Sequence, residues 1–270
     1  MKKKILACPY YIWAIIFVIV PVFIVGFYAL TNESGEFAIE NLGAIFGSTK
    51  VLLRSIEYAL LSTAICLLLG YPLAYIISKQ SQKAKSIYMI LLLLPMWMNF
   101  ILRIQAIKNL LLDNGFINQL IKMLGGNEIT MFATPFAVIL GMVYNYLPFM
   151  VLPIYTVLDK MDNSVIEAAR DLGAGTINVF KRVILPLSMP GVVSGVIMVF
   201  VPGVSTYVIS EKLGGGKYDL IGDVIARQFL GESANMHIGS AISLILLVFI
   251  LISLVVFNFL DDETKEGVVI

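Results

Sequence analysis

Residues 184–209 read ILPLSMPGVVSGVIMVFVPGVSTYVI, a stretch without Asp, Glu, Lys, Arg or His. A bilayer core about 30 Å thick needs about 20 mostly apolar residues in a helix, and this stretch exceeds that length. Working outward, stretches of the same character occupy about 10–30, 56–78, 87–108, 134–158 and 238–260. Lipid offers no partner to a free backbone N–H or C=O, so each stretch is a helix or part of a closed barrel. Their apolar character is continuous rather than alternating, which excludes the barrel. The expected fold class is an all-α membrane protein with six transmembrane helices.

Composition agrees. Of 270 residues, 59% are hydrophobic and 14% charged, and the mean hydropathy is +0.91. Soluble domains carry about 25% charged residues. The 19 Lys and Arg nearly balance 18 Asp and Glu, so no basic excess points to nucleic acid. Cys8, Cys66 and the single His237 cannot build a cysteine-rich zinc site or a disulfide framework. No Ser/His pair, Asp pair or HExxH lies within a span, so no catalytic constellation and no metal site is expected.

Basic residues orient the bundle, because cytoplasmic loops are enriched in Lys and Arg. Lys2, Lys3 and Lys4, then Lys79, Lys83 and Lys85, and Lys160, Arg170, Lys181 and Arg182 share one side if the N-terminus is cytoplasmic. An even number of spans returns the C-terminus to the same side. The first apolar run extends to Leu30, longer than the usual signal-peptide region of about 7–15 residues, so it reads as an uncleaved anchor. The expected divisions are an anchor helix with its outer loop over 1–54, a membrane domain over 55–259 and a cytoplasmic tail over 260–270.

Three loops have content. Asn32, Gly35, Gly43 and Gly47 suit turns in the outer segment 31–55, and the outer segment 109–133 is amphipathic. The long cytoplasmic segment 159–183 reads as two short helices. Ser164 with Glu167 fits a capping box, and residues 165–172 form about two turns. Gly173 supplies the stop, and Thr176 caps a second helix through Arg182. Val165, Ile166, Ala169, Leu172, Val179 and Phe180 give the pair an apolar face outside the membrane, which something must cover.

Glu167-Ala168-Ala169, Gly173 and Val183-Ile184-Leu185-Pro186, at their spacing, resemble the EAA loop of bacterial ABC-importer permeases of the type I (MetI-like) fold. Val183 stands where that pattern usually has Ile. The run 94–100 followed by Arg103, and Gly214-Gly215 followed by 220–222 and 228–229, are similar to the spermidine/putrescine branch of the family. The resemblance implies an importer subunit coupled through Glu167, Ala168, Ala169, Arg170, Asp171 and Gly173 to separate ABC ATPase subunits. It also implies a second, PotC-like permease subunit and an extracellular or periplasmic polyamine-binding protein. ATP would be bound by the partner and no cofactor by this chain. The chain has no phosphate-binding loop of its own: upstream of Gly216-Lys217, Glu211 stands where the first glycine is needed, and Tyr218 follows the lysine.

Substrate-pathway candidates follow from the rarity of polar groups in spans. Tyr207 and Glu211, four apart, share a helix face near the outer end of span five, an aromatic and a carboxylate suited to an alkylammonium. Trp97, Asn99, Tyr144 and Asn145 extend an aromatic and polar lining. The other reading of these residues is interfacial anchoring, with Glu211 solvated beside Lys212. Asp219 and Asp223, also four apart, read as a solvated face in preference to added negative potential near the mouth or a contact with a binding protein. Arg103 reads as a partner for Glu57 or another outer carboxylate. Pro202-Gly203 is the expected break in span five. A different cargo, such as sulfate, phosphate, iron or an amino-acid derivative, fits the same machine. A stand-alone secondary transporter would show paired repeats, and none is visible.

Overall fold

A computed structural model describes residues 8–232 and 234–266. Lys2–Lys4 and the end of the expected tail, 267–270, lie outside the described residues. The long helices are α1 (Pro9–Ala29), α2 (Thr49–Ser78), α6 (Pro135–Lys160), α8 (Thr176–Ser205) and α11 (Met236–Glu266). Between them stand α3 (Gln82–Leu93), α4 (Phe100–Leu111), α5 (Phe116–Met123), α7 (Asn163–Asp171), α9 (Val208–Leu213) and α10 (Ile221–Leu230). Among the described residues, five helices are long and apolar enough to cross a membrane singly, and counting a bent pair that passes the same test together as one span gives six. Thr49 begins α2, so the expected boundary at 54/55 falls inside a helix. The expected tail begins as a continuation of α11 to Glu266.

The core is the packing of α2, α6 and α8 on one another. Small residues bring the backbones together, as van der Waals contact must where no hydrophobic force acts between helices in lipid. A Cβ on Gly191 would stand 2.9 Å from the Pro153 carbonyl oxygen, and one on Gly195 would stand 2.7 Å from the Met150 sulfur. Tyr71 of α2 and Ser188 of α8 share a buried hydrogen bond of 2.8 Å. Helix α1 packs chiefly on α11, where His237 hydrogen-bonds with the Tyr28 carbonyl at 3.1 Å.

The third span differs from the expected straight helix over 87–108. Gln82–Trp97 and Phe100–Met123 meet at 91°. Pro95 disrupts helical bonding, Met98 is extended, and the Asn99 carboxamide oxygen starts α4 by accepting from the Ile101 and Leu102 amides at 2.9 and 3.3 Å. In span five the break comes later than Pro202-Gly203. The helix runs to Ser205, Thr206 is extended, and the Tyr146 hydroxyl donates to the freed Pro202 carbonyl at 3.3 Å.

Prolines act elsewhere by widening a turn. π turns at Ile15–Ile19 and Phe180–Ile184 each end two residues before a proline, Pro21 and Pro186. The proline ring crowds the carbonyl four residues back and offers it no donor, and the wide turn relieves that crowding. The second cytoplasmic helix, expected to stop at Arg182, therefore runs through its π turn into the membrane. It is the start of α8.

Candidate functional site

At one end of the bundle, α7 lies across the first turns of α8. The cap is Asp162 rather than Ser164: its carboxylate accepts from the Ser164 amide at 2.9 Å, which displaces the expected capping box. Hydrogen bonds from Ser164 hold the Asp162 carboxyl below the usual carboxylate range. Gly173 ends the element as expected. Its φ is +83°, the Ala174 amide donates to Ala169 at 3.0 Å, and the Gly173 amide donates to Arg170 at 2.8 Å, the paired bonds of a Schellman stop.

One face of this element is anchored. Ile166 is 5% exposed, Val179 is buried, and Phe180 meets the edges of Tyr71 and Tyr75 at 5.8 and 6.0 Å. Burying Ile166 is worth roughly 1.5–3 kcal/mol. The other face is open: Leu172 is 90% and Ile177 70% exposed, and Val165 is exposed beside them. Glu167, Ala168, Arg170, Asp171 and Gly173 share this exposure, and Ala169 is half-buried. An apolar knob with charges around it, outside the spans, has the composition of a protein-contact surface.

At the other end of α8, the Tyr207–Glu211 pair opens onto a cavity of ≈ 340 Å³ that Asp219, Asp223, Ala226, Arg227 and Leu230 also line. The pair lies beyond the break and is in helical register there, since Tyr207 stands at the start of α9 and the Glu211 amide donates to the Tyr207 carbonyl at 2.9 Å. Glu211 holds only its neighbour Lys212, at 2.7 Å, and both are exposed, an ion pair of small worth. Asp219 pairs with Arg227 at 2.7 Å.

Asp223 departs from the solvated face expected of it. It is 5% exposed and accepts from the Leu220 amide at 2.7 Å, so it caps α10. Burial pushes its carboxyl above the ordinary range, while the Leu220 amide and Ser210 hydroxyl pull it down. From α2, Ser55 accepts the Ile221 amide at 2.7 Å, and Arg54 reaches the Asp219 carbonyl at 3.4 Å. Three carboxylates against one arginine leave the lining acidic.

Trp97, Asn99, Tyr144 and Asn145 do not line this cavity. Trp97 is exposed at the bend, Asn99 is spent as the α4 cap, and Asn145 is buried with its amide on the Gly141 carbonyl at 2.7 Å. Tyr144 lines a second cavity beside Arg103. Arg103 meets neither Glu57 nor any other carboxylate within salt-bridge distance among the described residues; its guanidinium donates to the Pro95 carbonyl at 3.0 Å. Sequence reasoning missed Ser55, Asp162 and the burial of Asp223, since each depends on which amide ends up facing it.

Comparison with known proteins matches residues 2–265 to the family described as "Binding-protein-dependent transport system inner membrane component". The chain belongs to that family. This membrane component is 37% identical over 254 residues to "Spermidine/putrescine transport system permease protein PotB" of Escherichia coli (strain K12), covering 88% of this chain and 92% of that one. It is 38% identical over 265 residues to the protein of the same name from Haemophilus influenzae, covering 94% and 92%. Its fold is that of type I ABC importer permeases. A chain in the crystal structure of a bacterial ABC transporter involved in the import of the acidic polysaccharide alginate superposes with a TM-score of 0.76 at 18% identity, covering 97% of this chain and 95% of that one. A chain of the MetNI methionine ABC transporter gives 0.54 at 16% identity, covering 82% and 95%.

Proposed function

We propose that this chain is the membrane-spanning, non-catalytic subunit of an ATP-driven importer for polyamines such as spermidine and putrescine. A separate ABC ATPase seats on the open face of α7, where Leu172 and Ile177 stand among Glu167, Arg170 and Asp171. A second permease subunit completes the pathway, and an external binding protein delivers the substrate. ATP binds the partner. The α7 end faces the cytoplasm, in keeping with the Lys79–Lys85 cluster there, where Lys85 pairs with Asp159.

The observation that carries this reading is the lining of the outer cavity. A polyamine is a chain of ammonium groups, and Tyr207, Glu211, Asp219 and Asp223 offer an aromatic face beside excess negative charge. The Glu211–Lys212 pair is weak enough for a substrate ammonium to replace Lys212. An anion such as sulfate or phosphate would meet repulsion at the same wall. PotB relatives named for spermidine and putrescine support the same cargo.

Helix α8 links the two ends. Its thirty residues, at 1.5 Å each, span roughly 45 Å, from beneath α7 to the break at Thr206 beside Tyr207. A rigid displacement of α7 therefore reaches the cavity through one continuous element. The test is spermidine uptake by membrane vesicles carrying the complete system with Glu211→Gln. Uptake should fall while the amount of assembled complex stays the same; uptake at the parental rate removes Glu211 from the pathway.

A further inference from the structure

The cavity beside Arg103 lies outside the proposed pathway. It measures ≈ 260 Å³ and is walled by Met98, Ile107, Leu110, Leu140 and Tyr144 around the Arg103 side chain. Arg103 is 8% exposed, and its Nε has no hydrogen-bond partner among the described residues. One guanidinium nitrogen holds the Pro95 carbonyl at 3.0 Å, and the group stands 5.6 Å from the Phe100 ring. Neither neutralises the charge. An arginine, always protonated, is costly to bury without an anion.

Position sharpens the need. Arg103 sits in the first turn of α4, whose amides already make that end positive. Lys108, further along the same helix, rests on the Phe132 ring at 5.1 Å and likewise has no carboxylate within salt-bridge distance among the described residues. Met98 of the cavity wall is exposed, as are Trp97 and Leu102, its near neighbours in the chain. An aromatic and apolar rim next to a buried cation, at the outer end of a span, matches a headgroup above a hydrocarbon chain.

We propose that this cavity is a binding site for an anionic phospholipid, whose phosphate pairs with the Arg103 guanidinium and whose acyl chain lies along Leu110, Leu140 and Tyr144. The lipid fixes the 91° bend between α3 and α4 by neutralising the arginine that ties Pro95 to α4. A phosphate diester offers two oxygens to the guanidinium fork and a negative charge, neither of which a backbone carbonyl supplies. The membrane supplies such an anion at every encounter.

The test is native mass spectrometry of the complete complex in phosphatidylglycerol nanodiscs, phosphatidylcholine nanodiscs, and phosphatidylcholine nanodiscs with added inorganic phosphate. Arg103→Met and Ala106→Phe, the latter filling the cavity wall with the charge intact, are measured beside an exposed control, Lys122→Met. Phosphatidylglycerol should remain bound to the parent and the control and be lost from both cavity variants. Retention by Ala106→Phe, should Arg103→Met fail to assemble, overturns the proposal. So does equal retention of phosphatidylcholine, protection by inorganic phosphate alone, or a cross-link placing a carboxylate of another subunit on Arg103.

Discussion

Gly173 is where one residue's conformation bears most directly on the open face of α7, the surface proposed to seat the ATPase. A Cβ there meets nothing within 4 Å, yet φ is +83°, so a substitution is penalised by backbone strain and not by a clash. A left-handed residue other than glycine costs roughly 1–2 kcal/mol, less for asparagine. Gly173→Val should therefore greatly reduce uptake with the chain still inserted, and Gly173→Asn should retain most of it. Equal loss in both would point to the side chain and away from the turn. The stop was legible in sequence because few residues other than glycine take that φ. The cap was not, because Asp162 and Ser164 both suit it and only the chain path decides which reaches an amide.

Asp223 carries a pH consequence. Its folded pKa lies above the ordinary 3.8, chiefly through burial. Between those values the folded chain holds a proton that the unfolded chain has released, so this group's contribution to stability falls as pH rises through that window. A polyamine in the cavity favours the carboxylate and lowers that pKa. Binding should release protons in the same acid window, measurable by calorimetry in buffers of different ionisation enthalpy, and Asp223→Asn should abolish the release. Because Asp223 also caps Leu220, Asp223→Ala should destabilise α10 by about 1–3 kcal/mol, the cost of an orphaned amide.

Among elements, α8 matters most. Its contact with α6 leaves no room at Gly195, where an added Cβ stands 2.7 Å from the Met150 sulfur and 3.1 Å from the Met150 carbonyl oxygen. Gly195→Leu should cost about 1–3 kcal/mol by overpacking and lower the yield of assembled complex, read by size-exclusion chromatography. Tyr71→Phe removes only the hydroxyl that meets Ser188, so its effect should be near 0.6 kcal/mol, in the range of hydrogen bonds between membrane helices. The spans were visible in sequence because apolar length is read directly. The bend at 97–100 was not, since the residues stay apolar across it and only Pro95, Met98 and Asn99 mark the turn. The fusion of Thr176–Val179 into α8 was hidden for the opposite reason: Lys181 and Arg182 look like a helix end, yet the π turn carries the helix past them to Pro186.

On the proposed function, the whole molecule acts as a lever between two surfaces: the open apolar face at α7, and an acidic cavity some 45 Å away by helix length. The sequence contains the ends of that lever, Gly173 and the Tyr207–Glu211 pair, at readable spacings. It does not contain their connection, which depends on α8 staying helical through Pro186, Pro190 and Pro202. Uptake of labelled spermidine into sealed vesicles, with ATP on the α7 side and either the complete transport system or this chain alone, tests the account most directly. The account predicts ATP-dependent accumulation by the complete system and none by the chain alone; accumulation by the chain alone, or by the complete system without ATP, would contradict it.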